Sequence, residues 1–192
     1  MTFLAEPPAT PAVQALYDAD VTARGYVMNL SRAWAHHPEA HDVLFELVAD
    51  VARHGGLSVR ERAVLISAGA STMGDPYCSL AWGTRLAEEA DPTTAGAVLG
   101  GSDDGLTDAE RALAAWARQV ATDPNATTAD DVQALREAGY DDRQIFAITT
   151  FVALRLAFST INDALGATPD EELWAAAPAA VGAAVTWGRT DP

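Results

Sequence analysis

The residues best equipped for chemistry lie close together around a single thiol. Cys78 is the one cysteine of the 192-residue chain, and a thiol can serve as nucleophile, weak acid or metal ligand. Asp75 stands three residues before it, Tyr77 beside it and Trp82 four residues after it. On a helix, separations of three and four share a face, so a carboxyl, a thiol and an indole converge there. Asp75 and Cys78 form a candidate catalytic pair, the carboxyl as proton donor or acceptor and the thiol as nucleophile or second acid. Tyr77 and Trp82 are candidate substrate walls. A simpler reading competes, with Cys78 as a small buried hydrophobe and Asp75 as an ordinary helix cap. A helix start favours the thiolate while a carboxylate one turn back opposes it, so the sequence leaves the direction of the thiol's shift open.

Two helix starts position these residues. Ser58-Val59-Arg60-Glu61 is a capping box, predicting a helix to about Met73. Its middle, Ala63 to Ala70, is apolar on nearly every face, which marks a helix surrounded by others. Gly74 ends it, and Asp75-Pro76 opens the next helix with Asp as N-cap and Pro at the first position.

The stretch from Leu57 to Glu89 resembles the alkylhydroperoxidase D-like and carboxymuconolactone decarboxylase-like proteins. Their redox branch carries a Glu, a Cys-x-x-Cys twelve residues later, and a His four beyond the second Cys. Here those places hold Ala63, Asp75, Cys78 and Trp82, so only Cys78 keeps the chemistry. The likeness extends through Leu16-Tyr17-Asp18 to Gly25-Tyr26-Val27-Met28-Asn29-Leu30, a later Leu106-Thr107 to Arg111, and the ending Ile161-Asn162-Asp163-Ala164-Leu165-Gly166, a pattern similar to the peroxidase-related subgroup. The resemblance implies an all-α, alkylhydroperoxidase D-like helical bundle that forms a homo-oligomer, with its reactive cysteine at Cys78. It also implies loss of the dithiol peroxidase cycle, which needs a second thiol to resolve the oxidised one and a Glu and His to move protons. The decarboxylase branch works with acidic residues and no cysteine pair. Arg62 and Arg155 are candidate anion binders for a substrate carboxylate. Arg62 and Ala63, the latter at the family's glutamate position, join Tyr77 and Trp82 as expected substrate contacts.

Composition narrows the rest. Alanine and leucine dominate a chain that is 49% hydrophobic, which favours helices. A formal net charge of −15 argues against nucleic-acid or anionic-membrane partners. One cysteine closes no internal disulfide, and the N-terminal residues lack a signal-peptide pattern, so a cytoplasmic location is expected. The apolar stretch Ile145 to Ile161 contains Arg155 and is short for a membrane span, so it reads as an interior helix. His37 and His41 have the i, i+4 spacing of a metal pair beside His36, but no acidic or cysteine motif completes it, and no metal or cofactor is expected.

The chain reads as one domain over residues 1–192. Residues 1–10 form an extended arm placed to cross to another subunit, and helices follow at about 11–23, 29–36 and 38–54. A short helix and a loop fill 91–105. Leu106 to Leu113 repeats Leu57 to Val64 at an offset of 49 residues, suggesting a weak internal duplication. Further helices are predicted at 106–122, 127–138 and 141–165, with Asn162 and Asp163 making local helix-end hydrogen bonds. Thr168-Pro169-Asp170-Glu171 reads as another capping box, opening a terminal helix or broken pair whose Trp174 and Trp187 are candidate subunit contacts. The function expected is a cofactor-independent enzyme on a small carboxylated or oxidised organic substrate, by proton-transfer, lyase or isomerase chemistry. The alternatives are a residual single-cysteine peroxidase and a non-catalytic binding or scaffold protein.

Overall fold

A computed structural model describes residues 2–190, which form an all-α bundle. The helices are α1 (Pro11–Arg24), α2 (Asn29–Trp34), α3 (Pro38–His54), α4 (Val59–Met73), α5 (Pro76–Glu89), α6 (Pro92–Leu99), α7 (Asp108–Thr122), α8 (Ala129–Glu137), α9 (Asp142–Ala164), α10 (Glu171–Ala176) and α11 (Ala179–Ala184). Asp123-Pro124-Asn125 breaks the helical run, with a 3₁₀ turn at Pro124–Ala126.

The helix starts follow the local code. Ser58 with Glu61, Thr107 with Glu110, and Asp141 with Gln144 each close a reciprocal capping box. Gly74 ends α4 in the left-handed conformation, φ 76°, which a side chain would disfavour. The repeated motifs become helices of 15 residues each, α4 and α7, packed side by side. Glu110 of α7 is buried and pairs with Arg60 of α4 while capping its own helix through Thr107. Burial pushes its carboxyl up, but Arg60 and Thr107 more than offset this and hold it below the usual range.

The core centres on α4. Residues 63–70 are all buried, over two helical turns, because α5, α6, α7 and α9 cover it. Gly83 lets α5 approach α6 and α11, since a Cβ there would stand 2.7 Å from Leu99 Cδ1. By length and composition α9 is apolar enough to span a membrane. Its buried face instead packs Ile148, Phe151, Val152 and Phe158 into the bundle and carries Arg155, Ser159 and Asn162 inward.

Two expectations need correction. The capping box at Thr168 does not form: the helix opens at Glu171, and Asp170 makes no capping bond to it. The Asp170 carboxylate accepts instead from the Asn29 N–H at 2.8 Å and from the Tyr77 hydroxyl, because a buried phenol and the start of α2 both need an acceptor. Asn162 also reaches beyond its helix end, accepting the indole N–H of Trp34 at 2.9 Å. The described part of the arm lies on its own chain: Phe3 N–H donates to Leu165 C=O, and Glu6 meets Tyr17 and Arg32. Trp174 and Trp187 are half-buried against their own core.

Asp170 thus joins α2, α5 and α10. Asp170→Ala strands the Tyr77 hydroxyl and the Asn29 N–H, and should lower the unfolding free energy in urea by about 2–3 kcal/mol. Asp170→Asn, which keeps an acceptor, should lose less; equal losses would show that the carboxylate's hydrogen bonds are not what stabilises this corner.

Candidate functional site

The site begins with the N-cap of α5. Asp75 is wholly buried and accepts the Cys78 backbone N–H at 3.0 Å through Oδ1, while Oδ2 has no partner among the described residues. Capping one turn back brings the carboxylate close to the Cys78 side chain. From α9, across the bundle, the Arg155 guanidinium reaches the same sulfur, Nη2 to Sγ 3.5 Å. The thiol is therefore bracketed by an acid and a cation. Burial pushes the Cys78 thiol up, the Asp75 charge adds to this, and Arg155 and Ser159 pull it only part of the way back. At neutral pH the group is a thiol and not a thiolate.

Cys78 borders a chamber of about 380 Å³ between α1, α2, α3, α5 and α9. Its walls include Phe45, Tyr77, Trp82, Phe158 and the side chain of Arg155. The aromatic wall is preassembled, with Phe158 stacked on Trp34 at 5.4 Å and edge-on to Phe45 at 5.1 Å. The Arg155 guanidinium lies 5.0, 5.5 and 5.8 Å from the ring centres of Phe158, Trp82 and Phe45.

Of the residues singled out from sequence, Cys78, Tyr77 and Trp82 line this chamber, with Asp75 behind the sulfur. Tyr77 presents ring and not acid, because its hydroxyl is engaged by Asp170, and burial followed by the Asp170 charge pushes its ionisation far up. Arg62 lines an adjoining cavity of about 170 Å³ that shares Phe45, Trp82 and Arg155. Ala63 is fully buried in α4 and absent from the lining of either cavity, so the glutamate position contributes packing here.

His41 is the residue that sequence reasoning placed elsewhere. Weighed with His37 as a metal pair, it instead lines the chamber, and no group of three or more potential ligands forms among the described residues. Its ring is held edge-on to Trp34 at 5.7 Å and against Phe45 at 4.6 Å, with Nδ1 3.2 Å from Asp42. That leaves Nε2 as the nitrogen available to a ligand. The position supplies an imidazole to a chamber in which Trp82 fills the place of the resembled family's histidine. The Pro38 helix start and the apolar stripe of α3 set its face, but only packing against α9 shows what it faces.

Behind Asp75 lies Asp163, at the end of α9. Burial and then the Asp75 charge push Asp163 up to about 7, against the pull of Arg189, whose Nη1 donates to the Asp163 carbonyl at 2.7 Å.

No protein-family model matches the chain, and no curated protein matches it either. Solved structures share its fold. An uncharacterized peroxidase-related protein from Ralstonia eutropha JMP134, described as an alkylhydroperoxidase AhpD core, superposes with a TM-score of 0.78 at 22% identity, covering 90% of this chain and 94% of that one. A peroxidase-related protein from Silicibacter sp. TM1040 gives 0.78 at 21%, covering 90% and 93%. The debrominase Bmp8, as a cysteine-to-alanine variant in complex with 2,3,4-tribromopyrrole, gives 0.71 at 15%, covering 90% and 95%. The bundle is thus an alkylhydroperoxidase D-like fold.

Two outcomes follow from the electrostatics. Asp75→Asn keeps the cap but removes the charge beside Cys78, so alkylation by iodoacetamide at pH 8 should speed up by about tenfold, one unit of thiol pKa; Arg155→Met should slow it. A slower reaction in the Asn variant would contradict the bracketing of the thiol. Asp163 holds its proton more tightly folded than unfolded, because about 7 lies above the ordinary 3.8. Its stabilisation is fully present below about pH 4 and lost as pH rises through 7. Thermal melts of Asp163→Asn should therefore show a flatter pH dependence between pH 4 and 7 than the parent protein.

Proposed function

We propose that this alkylhydroperoxidase D-like chain is a cofactor-independent enzyme that moves a proton at a carbon atom of a small organic substrate, as a lyase or isomerase does. The observation that carries the reading is the position of Cys78, set between Asp75 and Arg155 and bordering the same chamber as His41. A thiol held in its acid form is a proton donor. His41 Nε2 takes a proton from the substrate carbon, and the negative charge that develops is offset by the Arg155 guanidinium. Cys78 then delivers its own proton to the carbanion or enolate. Asp75 keeps the thiol protonated until that moment, and proton return from imidazolium to thiolate resets the site. Tyr77 and Trp82 act as walls, and Arg62, next to Arg155, lies outside the reacting centre.

The dithiol peroxidase cycle is set aside because Asp75 occupies the place of a resolving partner and the chain holds one cysteine. A second reading, thiol attack on a peroxide or halide with an external thiol as reductant, draws support from Arg155 beside the sulfur and from the fold shared with a debrominase.

Deuterium incorporation from D₂O, followed by proton NMR, distinguishes the two. Wild type should exchange the carbon acid of phenylpyruvate or of neutral phenylacetaldehyde at least tenfold faster than buffer, and Cys78→Ala and His41→Gln should each abolish most of the gain. Exchange unchanged in both variants would remove these residues from the mechanism. Absence of exchange, with hydrogen peroxide or 2,3,4-tribromopyrrole consumed in the presence of dithiothreitol, would favour the second reading.

A further inference from the structure

We infer that the chamber is built for a small, flat monocarboxylate, with Arg155 as its anchor and Phe45, Trp82 and Phe158 as its walls. The inference takes from the proposed function only that the chamber beside Cys78 receives the substrate. It rests on the state of Arg155, whose side chain lies at the meeting of the chamber and the adjoining cavity and is 6% exposed.

A buried guanidinium without a counter-ion is costly. The chain has 27 acidic residues for 12 basic ones, yet among the described residues none comes within ion-pair distance of Arg155. Its one hydrogen bond goes to a sulfur, a weak acceptor, at 3.5 Å, and Nε has no partner. The three rings offset part of the charge but accept no strong hydrogen bond. What is missing is an anion.

Its chemical class follows from the surroundings. Among the described residues lining the chamber Arg155 is the buried guanidinium and Arg24 an exposed one; a single buried cation suits a monoanion, and a planar carboxylate matches its parallel N–H groups as a bidentate pair. A phosphate dianion would meet Asp75 behind the thiol and Asp20 on the chamber wall, while the chamber's other guanidinium, Arg24, is exposed to solvent. Stacked aromatic walls favour a flat body, and about 380 Å³ lies at the small end of ligand pockets. A carboxylate seated on Arg155 sets the carbons next to it beside Sγ, since the guanidinium and the sulfur are in contact. The reacting carbon is therefore close to the carboxylate group.

Calorimetric titration at pH 7 with benzoate, its neutral isostere benzamide, and phenyl phosphate tests this on wild type, without a variant. Benzoate should bind at least tenfold more tightly than either. Arg155→Met should erase the preference over benzamide, and Arg155→Lys, which keeps a point charge without the planar fork, should retain part of it. Equal affinity for benzoate and benzamide in wild type overturns the anchor, as does a preference that survives in the Met variant. Phenyl phosphate binding as tightly as benzoate overturns the carboxylate assignment. Exchange into phenylacetaldehyde without a benzoate preference leaves the proposed function standing and removes the anchor; a benzoate preference without any exchange does the reverse.

Discussion

The Asp75 carboxylate accepting the Cys78 N–H at the start of α5 is the contact on which the site depends. N-caps ordinarily lie where water can reach them, and such a cap contributes about 1 kcal/mol. This one is wholly enclosed, with one oxygen lacking a partner among the described residues. An enclosed carboxylate fixes the tight connection after Gly74, orients α5 against α4, and brings a negative charge close to the thiol. The same geometry that closes the turn therefore adds to the burial that keeps the only cysteine protonated.

Arg155 balances this arrangement from the other side. It arrives on α9, whose inward face is otherwise apolar or small and polar, and it reaches Sγ past three aromatic rings. Acid, thiol and cation form a graded sequence from the buried turn to the open chamber. Shielding from water strengthens each interaction, because the effective dielectric is lower than in solvent. His41, a further polar group on the chamber wall, is held by aromatic packing and by Asp42. Its imidazole comes from α3 and not from α5, so proton-transfer groups approach the space from separate elements.

Phe3 and Arg189, near the two limits of the described residues, converge on the far end of the same long helix. Phe3 bonds to the carbonyl of Leu165, and Arg189 bonds to that of Asp163 and lies over the Phe3 ring. These contacts close over the region where Asp163 feels the Asp75 charge. The packing that completes the fold thus bears on the electrostatics behind the thiol.

The sequence determined the features whose causes are local. Ser58 with Glu61, Thr107 with Glu110, Asp141 as the cap of the long helix, and Asp75 ahead of Pro76 each encode a helix start within a few residues, and each start formed as read. The buried character of α4 was equally legible, since an apolar run on every face has no solvent-facing solution. Tertiary structure decided what depended on residues far apart in the chain. The cap expected at Thr168 gave way to a helix opening at Glu171, Asp170 met a partner 93 residues away, and Arg155 met a sulfur 77 residues away. His41, which the sequence placed only at a solvated helix start, lines the chamber, and the thiol's shift took its sign from burial. A cap is selected by hydrogen bonds the backbone offers at close range, whereas the partner of a buried charge is whichever group the packing of several helices brings near, and that is a property of the assembled core.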